Sequence, residues 1–156
     1  MGQLSINGNR LWDRLDELAQ IGAIPETIGS SRLALTKEDG RARDLVVSWM
    51  KDLEMDVTVD GIGNVVGVWH GPKTDTALRP VMTGSHIDTV RSGGRFDGNL
   101  GVLAGLEVVQ TITEMGVSSR HPIAVGFFTG EEGARFAPDM LGSLVYVGAL
   151  DLETAL

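Results

Sequence analysis

The sequence predicts an α/β protein in which a mixed sheet is flanked by helices. The predicted elements run helix, helix, strand, strand, strand, helix, strand, an order that favours helices packed on the faces of a sheet. Segments 81–87 and 123–129 are apolar enough to be strands buried on both faces. Acidic residues follow both segments, at the sheet edge where ligands of such folds collect. We therefore expect one domain with a functional edge in these 156 residues.

Two helices are predicted before the first strand. Asn7 or Asn9 can cap the first helix, which runs to about Ile21, and Gly22 and Pro25 end it. Three apolar side chains share one face of this helix: Leu11, Leu15 and Leu18.

The second helix follows a polar loop predicted over 26–35. Thr36 opens the helix, and Asp39 can return the capping interaction in a shortened form of the capping box. Its buried stripe is predicted to consist of Val46, Val47, Met50 and Leu53.

The remaining elements are strands and one long helix. The sequence predicts four strands, over 55–59, 64–69, 81–87 and 123–129. A polar connection covers 72–78, and an apolar helix that starts at a glycine is predicted over 98–115. The last segment, 142–156, is predicted to be a helix followed by an abrupt stop.

The composition is that of an ordinary globular protein and argues against several functions. The formal net charge of -8 argues against a nucleic-acid partner, because the phosphates would be repelled. The chain has no cysteine, so any metal must be held by His, Asp and Glu. The polar residues 1–9 lack the apolar core of a signal peptide, and no apolar run approaches the ~18 residues of a membrane span. We expect a soluble, cytoplasmic protein without a membrane partner.

His86 and Asp88 lie two residues apart at the end of a predicted strand, so their side chains point to the same side. This spacing suits a metal-binding imidazole with a carboxylate that orients it or raises its basicity. A buried histidine hydrogen-bonded to a local aspartate is an equally good interpretation of this pair alone.

Asp97 follows His86 by eleven residues, at the apparent start of the long helix. Helix capping is the commoner use of aspartate at such a position. Its two oxygens can instead bridge two cations ~3.5–4 Å apart. Glycines at positions 93, 94 and 98 would allow the close backbone approach that a bridge requires.

Glu131 and Glu132 follow a predicted buried strand and precede Gly133. A solvated acidic pair in a surface loop is the simple interpretation. Their position at the functional edge favours a division of labour, in which one glutamate binds metal and the other accepts a proton from water.

Together these residues resemble the M20-type metallohydrolases. The closest resemblance is to the amidase, hydantoinase and carbamoylase branch, which includes N-carbamoyl-L-amino-acid hydrolases, allantoate amidohydrolases and β-ureidopropionases. The phenylalanine–aspartate–glycine sequence around Asp97 favours this branch over the peptidase branches, which typically carry a doubled aspartate there. The matching segments are 36–39, 63–64, 84–89, 93–105, 131–136 and 138–143.

The resemblance implies a role for each of these side chains. His86 would bind one metal ion, Asp97 would bridge two ions, and Glu132 would bind the second. Glu131 would be the catalytic general base, and Asp88 would orient the imidazole of His86.

The resemblance also implies a reaction. Enzymes of this branch hydrolyse linear amide or ureido C–N bonds, other than peptide bonds, in small N-carbamoyl-amino-acid or allantoate-like substrates. Water activated by two divalent metal ions attacks the carbonyl. The ions are zinc, or manganese, cobalt or nickel in some members, and full-length relatives are homodimers.

By this resemblance, residues 1–156 would form the N-terminal portion of a zinc-peptidase-like catalytic domain. The family uses two further histidines and a small substrate-binding and dimerisation domain, which have no counterpart in this sequence. We therefore expect weak metal binding, no activity of the chain alone, and association through an exposed sheet edge. An M20 peptidase or aminoacylase and a truncated, non-catalytic binding module are the alternatives.

Overall fold

A computed structural model describes residues 4–156, and its centre is a four-stranded mixed sheet. The strands are β1 (Asp56–Val59), β2 (Val65–Trp69), β3 (Val81–Ser85) and β4 (Ile123–Phe127). They lie in the order β1-β2-β4-β3, with β2 antiparallel to both neighbours and β3 parallel to β4. Residues 1–3 lie outside the described residues. They belong to the polar segment 1–9, on which the expected lack of a signal peptide partly rests.

Helices flank this sheet, which confirms the predicted fold class. The three longer helices are α1 (Gly8–Gln20), α2 (Lys37–Asp52) and α3 (Asn99–Glu114). The predicted final helix forms as two short ones, α4 (Leu141–Tyr146) and α5 (Leu152–Ala155). Among residues 4–156, no helix has the length and apolar character needed to cross a membrane.

The first two helices begin where their capping residues predict. The side chain of Asn7 accepts a hydrogen bond from the backbone N–H of Arg10 at 3.1 Å. Thr36 accepts one from the N–H of Asp39 at 3.3 Å. The Asp39 carboxylate returns the interaction to the N–H of Leu35 at 2.8 Å, one residue before the cap. Both helix starts are therefore fixed by local side chains.

The prediction of a doubly buried strand over 81–87 is wrong. In the structure β3 ends at Ser85, and β3 is the edge strand of the sheet, with Val81 62% and Met82 36% exposed. β4 covers one side of β3, and no strand of the described chain pairs with its other side. An apolar sequence does not distinguish a central strand from an edge strand. Association through this open edge stays a prediction.

The predicted strand over 123–129 forms as β4 and is confirmed as buried. Ala124, Val125 and Phe127 are fully buried between β2 and β3. One continuous apolar core joins this strand to α1, α2 and α3. Its fully buried side chains include Leu18, Val46, Met50, Leu103, Leu106 and Val109.

An ionic lock holds α1 against α3. The Glu107 carboxylate, fully buried on α3, accepts hydrogen bonds from Arg10 Nε at 2.7 Å and Nη2 at 2.9 Å. It also accepts from the Asn7 N–H at 2.8 Å and from Thr111 Oγ1 at 3.0 Å. Burial alone would raise the pKa of Glu107, but these hydrogen bonds together hold it below its ordinary value of 4.5.

We expect Glu107→Gln to lower the free energy of unfolding by about 1.5–3 kcal/mol at neutral pH, the range for hydrogen bonds to a charged group. Because the pKa of Glu107 is lowered by folding, its stabilisation is present above the ordinary value of 4.5 and is lost as pH falls below it. Urea unfolding at pH 7 and near pH 3 measures both effects.

The matched control is Glu114→Gln, which removes the exposed partner of Arg10 and should change stability little. A stability difference between wild type and Glu107→Gln that stays constant down to pH 3 would contradict the role of the ionised carboxylate.

Candidate metal centre

Two predicted site segments leave the sheet at the same edge. β3 ends at Ser85, directly before His86, and β4 ends at Phe127, four residues before Glu131. Because the two strands are parallel and Ser85 is paired with Phe127, their carboxyl ends lie side by side. The sheet thereby brings the histidine and the glutamate pair together, although they are far apart in sequence.

Asp97 reaches the same place at the start of α3. The residue that follows it, Gly98, caps the helix with a φ of +66°. A Cβ added at this glycine would lie 2.5 Å from both His86 Nε2 and His86 O. The approach of α3 to the imidazole therefore requires glycine, both for its backbone conformation and for its lack of a side chain.

Four of the predicted site residues converge around one imidazole. One ligand atom each from His86, Asp97 and Glu132 lie within 4.8 Å of one another. His86 Nε2 is 3.8 Å from Asp97 Oδ1 and 3.3 Å from Glu131 Oε2. The imidazole is buried, whereas the Asp97 side chain is 69% exposed, so the cluster opens to solvent on the Asp97 side. This is the only group of three or more such side chains found among residues 4–156.

Asp88 contacts the cluster in two ways. Its backbone carbonyl lies 2.9 Å from His86 Nδ1, while its carboxylate is 3.9 Å from the same nitrogen. Because a carbonyl only accepts, Nδ1 is the donor in this contact, and Nε2 is the ring nitrogen that faces the carboxylates of Asp97 and Glu131. The Asp88 carboxylate accepts instead from the N–H groups of Glu131 at 3.3 Å and Glu132 at 3.4 Å. The predicted orienting residue thus also holds the turn that carries both glutamates.

The cluster concentrates negative charge around the imidazole. Burial is the main cause that raises the pKa of Glu132 above its ordinary value, and Asp97, Glu131 and Asp88 raise it further, against the opposing effect of His86. A divalent cation would neutralise this charge. One imidazole nitrogen with carboxylate oxygens is a donor set that suits zinc, manganese, cobalt or nickel, so the residues fit such an ion.

The other two histidines do not belong to this cluster. His70 Nε2 lies 3.5 Å from the Asp56 carboxylate, beside β1. His121 Nδ1 lies 2.9 Å from the Arg79 carbonyl, at the amino end of β4 and therefore at the opposite end from the cluster.

Two further positions support the site through contacts with residues distant in sequence. Asn64 Oδ1 accepts from the Thr129 N–H at 2.9 Å, and its Nδ2 donates to the Gly142 carbonyl at 2.9 Å, which fixes the chain between β4 and Glu131. Arg32 is fully buried although it lies in the segment predicted to be a polar loop. A pattern of local polarity gives no indication of either contact.

The sheet and its cluster define a peptidase-like hydrolase domain. A model of Peptidase family M28 matches residues 64–154, more than half of the chain, and the chain belongs to this family. The matched segment contains all of the predicted site residues.

Relatives and solved structures give the similarity in more detail. An N-carbamoyl-L-amino acid amidohydrolase of Geobacillus stearothermophilus is 49% identical, over 95% of this chain and 36% of the relative. A ureidoglycolate hydrolase of Arabidopsis thaliana is 33% identical, over 98% of this chain and 32% of the relative. The crystal structure of a hydantoinase/carbamoylase family amidase from Burkholderia ambifaria is 50% identical with a TM-score of 0.93, over 97% of this chain and 37% of that one.

These similarities confirm the predicted resemblance to the amidase, hydantoinase and carbamoylase branch. The matching family model is M28, so the narrower M20 assignment stays a prediction. The chain spans about a third of the length of the relatives it matches.

We expect Gly98→Ala to displace His86 from the carboxylates, because the added Cβ has no space beside the ring. Gly116→Ala is a matched control, since Gly116 has a φ of +61° with no atom within 4 Å of an added Cβ. Both variants should lose roughly 1–2 kcal/mol from the left-handed backbone conformation. Denaturant unfolding and the NMR signals of the His86 ring are the measurements. Only Gly98→Ala should move the ring signals, and unchanged signals in that variant would contradict the required contact.

Proposed function

We propose that this chain supplies part of the metal-binding catalytic domain of a hydrolase that cleaves linear amide or ureido C–N bonds. The observation that carries this proposal is the convergence of His86, Asp97 and Glu132 within 4.8 Å, with Glu131 beside them. The substrate class, N-carbamoyl-amino-acid or allantoate-like compounds, is supported by the names of the amidohydrolase and ureidoglycolate hydrolase relatives. We also propose that a protein of the same length as these relatives, containing this chain, forms a homodimer.

Each residue has a proposed role that its position supports. His86 would hold one divalent ion and Glu132 a second, zinc or alternatively manganese, cobalt or nickel, and Asp97 would be shared between them. When bound, such ions polarise a carbonyl and lower the pKa of water. Asp88 is proposed to orient His86 through its backbone carbonyl. Its carboxylate accepts from the backbone N–H groups of Glu131 and Glu132 and thereby fixes the position of their backbone.

Glu131 is proposed as the catalytic general base. Its Oε2 lies 3.3 Å from His86 Nε2, on the side of the ring that faces the other carboxylates. From there it would accept a proton from the attacking water as the C–O bond forms. The same proton would pass to the leaving nitrogen as the C–N bond breaks, so Glu131 ends unchanged.

A peptide bond is the second candidate substrate, because the matching family model is that of a peptidase. Water addition and proton transfer by Glu131 would be the same for a peptide as for a carbamoyl group. The two candidates differ in the group that flanks the carbonyl, and only a substrate comparison separates them.

We expect the purified chain to bind zinc weakly and with at most one ion, because the cluster offers one imidazole and few carboxylates for two coordination spheres. Isothermal titration calorimetry measures affinity and stoichiometry. Glu132→Gln should weaken binding, whereas Asp44→Asn, an exposed change on α2, should not. Two tightly bound ions would contradict the incomplete ligand set, and unchanged binding by Glu132→Gln would contradict the site.

Catalysis is tested by replacing the equivalent segment of the Geobacillus stearothermophilus relative, 49% identical, with this chain. The chimera should hydrolyse N-carbamoyl-L-amino acids, and Glu131→Gln should lower kcat by about 10²–10⁴-fold, the range for general acid–base catalysis. Metal content of the variant is the control, and it should be unchanged. A chimera that prefers dipeptides would support the peptidase candidate, and one that folds and binds metal but hydrolyses neither would support a non-catalytic role.

A further inference from the structure

We infer that Arg32 is a positioning residue that holds the two ligand-bearing segments, 86–89 and 97–99, in their mutual arrangement. The inference rests on the proposed function, since it assigns Arg32 to the same metal centre. The residue lies in neither segment and contacts no ligand side chain by hydrogen bonding in the described structure. Its effect on the centre passes through the backbone and through Asn99.

The guanidinium connects the two segments directly. Nε donates to the carbonyl of Ile87 at 2.8 Å, and Ile87 lies between His86 and Asp88. Nη2 donates to Asn99 Oδ1 at 3.1 Å. A planar, forked group fixes the distance between two acceptors, which a single ammonium on a flexible stem does not.

Asn99 passes this constraint on to Asp97. Its backbone N–H donates to the Asp97 carbonyl at 2.7 Å. Its side-chain Nδ2 donates to the Arg95 carbonyl at 3.0 Å. The backbone on both sides of Asp97 is therefore tied to the residue that Arg32 holds.

The other end of Arg32 is anchored to rigid structure. Nη1 donates to the Ile21 carbonyl at 2.8 Å and, at 3.4 Å, to that of Leu18, both at the carboxyl end of α1 where a cation is favoured. Its backbone pairs with Thr89: the Arg32 N–H donates to Thr89 Oγ1 at 2.8 Å, and the Thr89 N–H donates to the Arg32 carbonyl at 2.9 Å. Arg32 thus connects both ligand-bearing segments to the carboxyl end of α1.

The burial of the Arg32 guanidinium indicates that this side chain positions other residues and does not merely fill space in the core. Arg32 is 0% exposed, and none of the atoms that accept its hydrogen bonds in residues 4–156 is a carboxylate oxygen. Burial lowers the pKa of the guanidinium, partly offset by the charges of Asp39 and Asp88. A buried charge without a directly bonded counter-ion costs free energy that an apolar side chain of similar size would not. The geometry of its donors is what an apolar replacement would lose.

Cobalt(II) titration of the whole chain, followed by paramagnetic NMR shifts, tests the inference because it detects weak binding. The variants are Arg32→Lys, which keeps the charge but not the fork, and Asn99→Ala, which removes the side-chain bonds from residue 99 to Arg32 and to the Arg95 carbonyl. Both should weaken cobalt binding by about 10–100-fold, the usual effect of losing a group that orients ligands. The control is Glu107→Gln, which is expected to lower stability through the α1–α3 lock and to leave cobalt affinity unchanged. Urea unfolding shows that each variant is folded at the titration temperature.

The outcomes separate the inference from the proposed function. Wild-type chain that binds no cobalt would overturn the proposed metal centre and the inference with it. Wild-type binding with equal affinity in folded Arg32→Lys and Asn99→Ala would overturn the inference alone, and Arg32 would then stabilise the fold without positioning ligands. If Arg32→Lys does not fold, Asn99→Ala decides, because it leaves the guanidinium and its anchor on α1 in place. Weakened binding in Glu107→Gln equal to that in Asn99→Ala would also count against positioning, since general destabilisation would explain both.

Discussion

The parallel pairing of β3 with β4 is the constraint on which the candidate metal centre depends. It sets the end of one strand, before His86, beside the end of the other, before Glu131 and Glu132. No local sequence preference brings these segments together, because they are separated by all of α3. The register of two strands therefore decides whether an imidazole and a pair of carboxylates become neighbours, and residues such as Asn64 and Arg32 refine an arrangement that the sheet has already made.

The centre combines close packing with unfavourable charge. Gly98 permits α3 to touch His86, and this contact brings the Asp97 carboxylate toward Glu131 and Glu132. The raised pKa of Glu132 shows that burial, followed by its acidic neighbours, disfavours ionisation in the absence of a cation. A metal ion would reverse this balance, since the same carboxylates that repel one another would stabilise it. The close approach at Gly98 and the acidic cluster are thus two aspects of one candidate binding site.

The sequence predicted the fold class and the helix caps, because these depend on local chemistry. It also placed the site residues after strands, and the carboxyl ends of strands are where ligands of such sheets collect. It did not predict that β3 lies at the sheet edge, since an apolar segment looks the same whether one or two strands cover it. It also did not predict the burial of Arg32 in an apparently polar loop. The Asp88 carboxylate was expected beside the imidazole, and the structure bonds it to the backbone of Glu131 and Glu132. These details depend on contacts between residues distant in sequence, which no local pattern contains.

X-ray absorption of the zinc-loaded chain tests most directly whether this cluster is a metal site. We predict scattering from a single imidazole with oxygen donors completing the shell, because His86 is the only histidine in the cluster. The imidazole signal should disappear in His86→Gln. A spectrum with two or more imidazoles, or one unchanged by His86→Gln, would place the zinc at His70 or His121 and contradict the account.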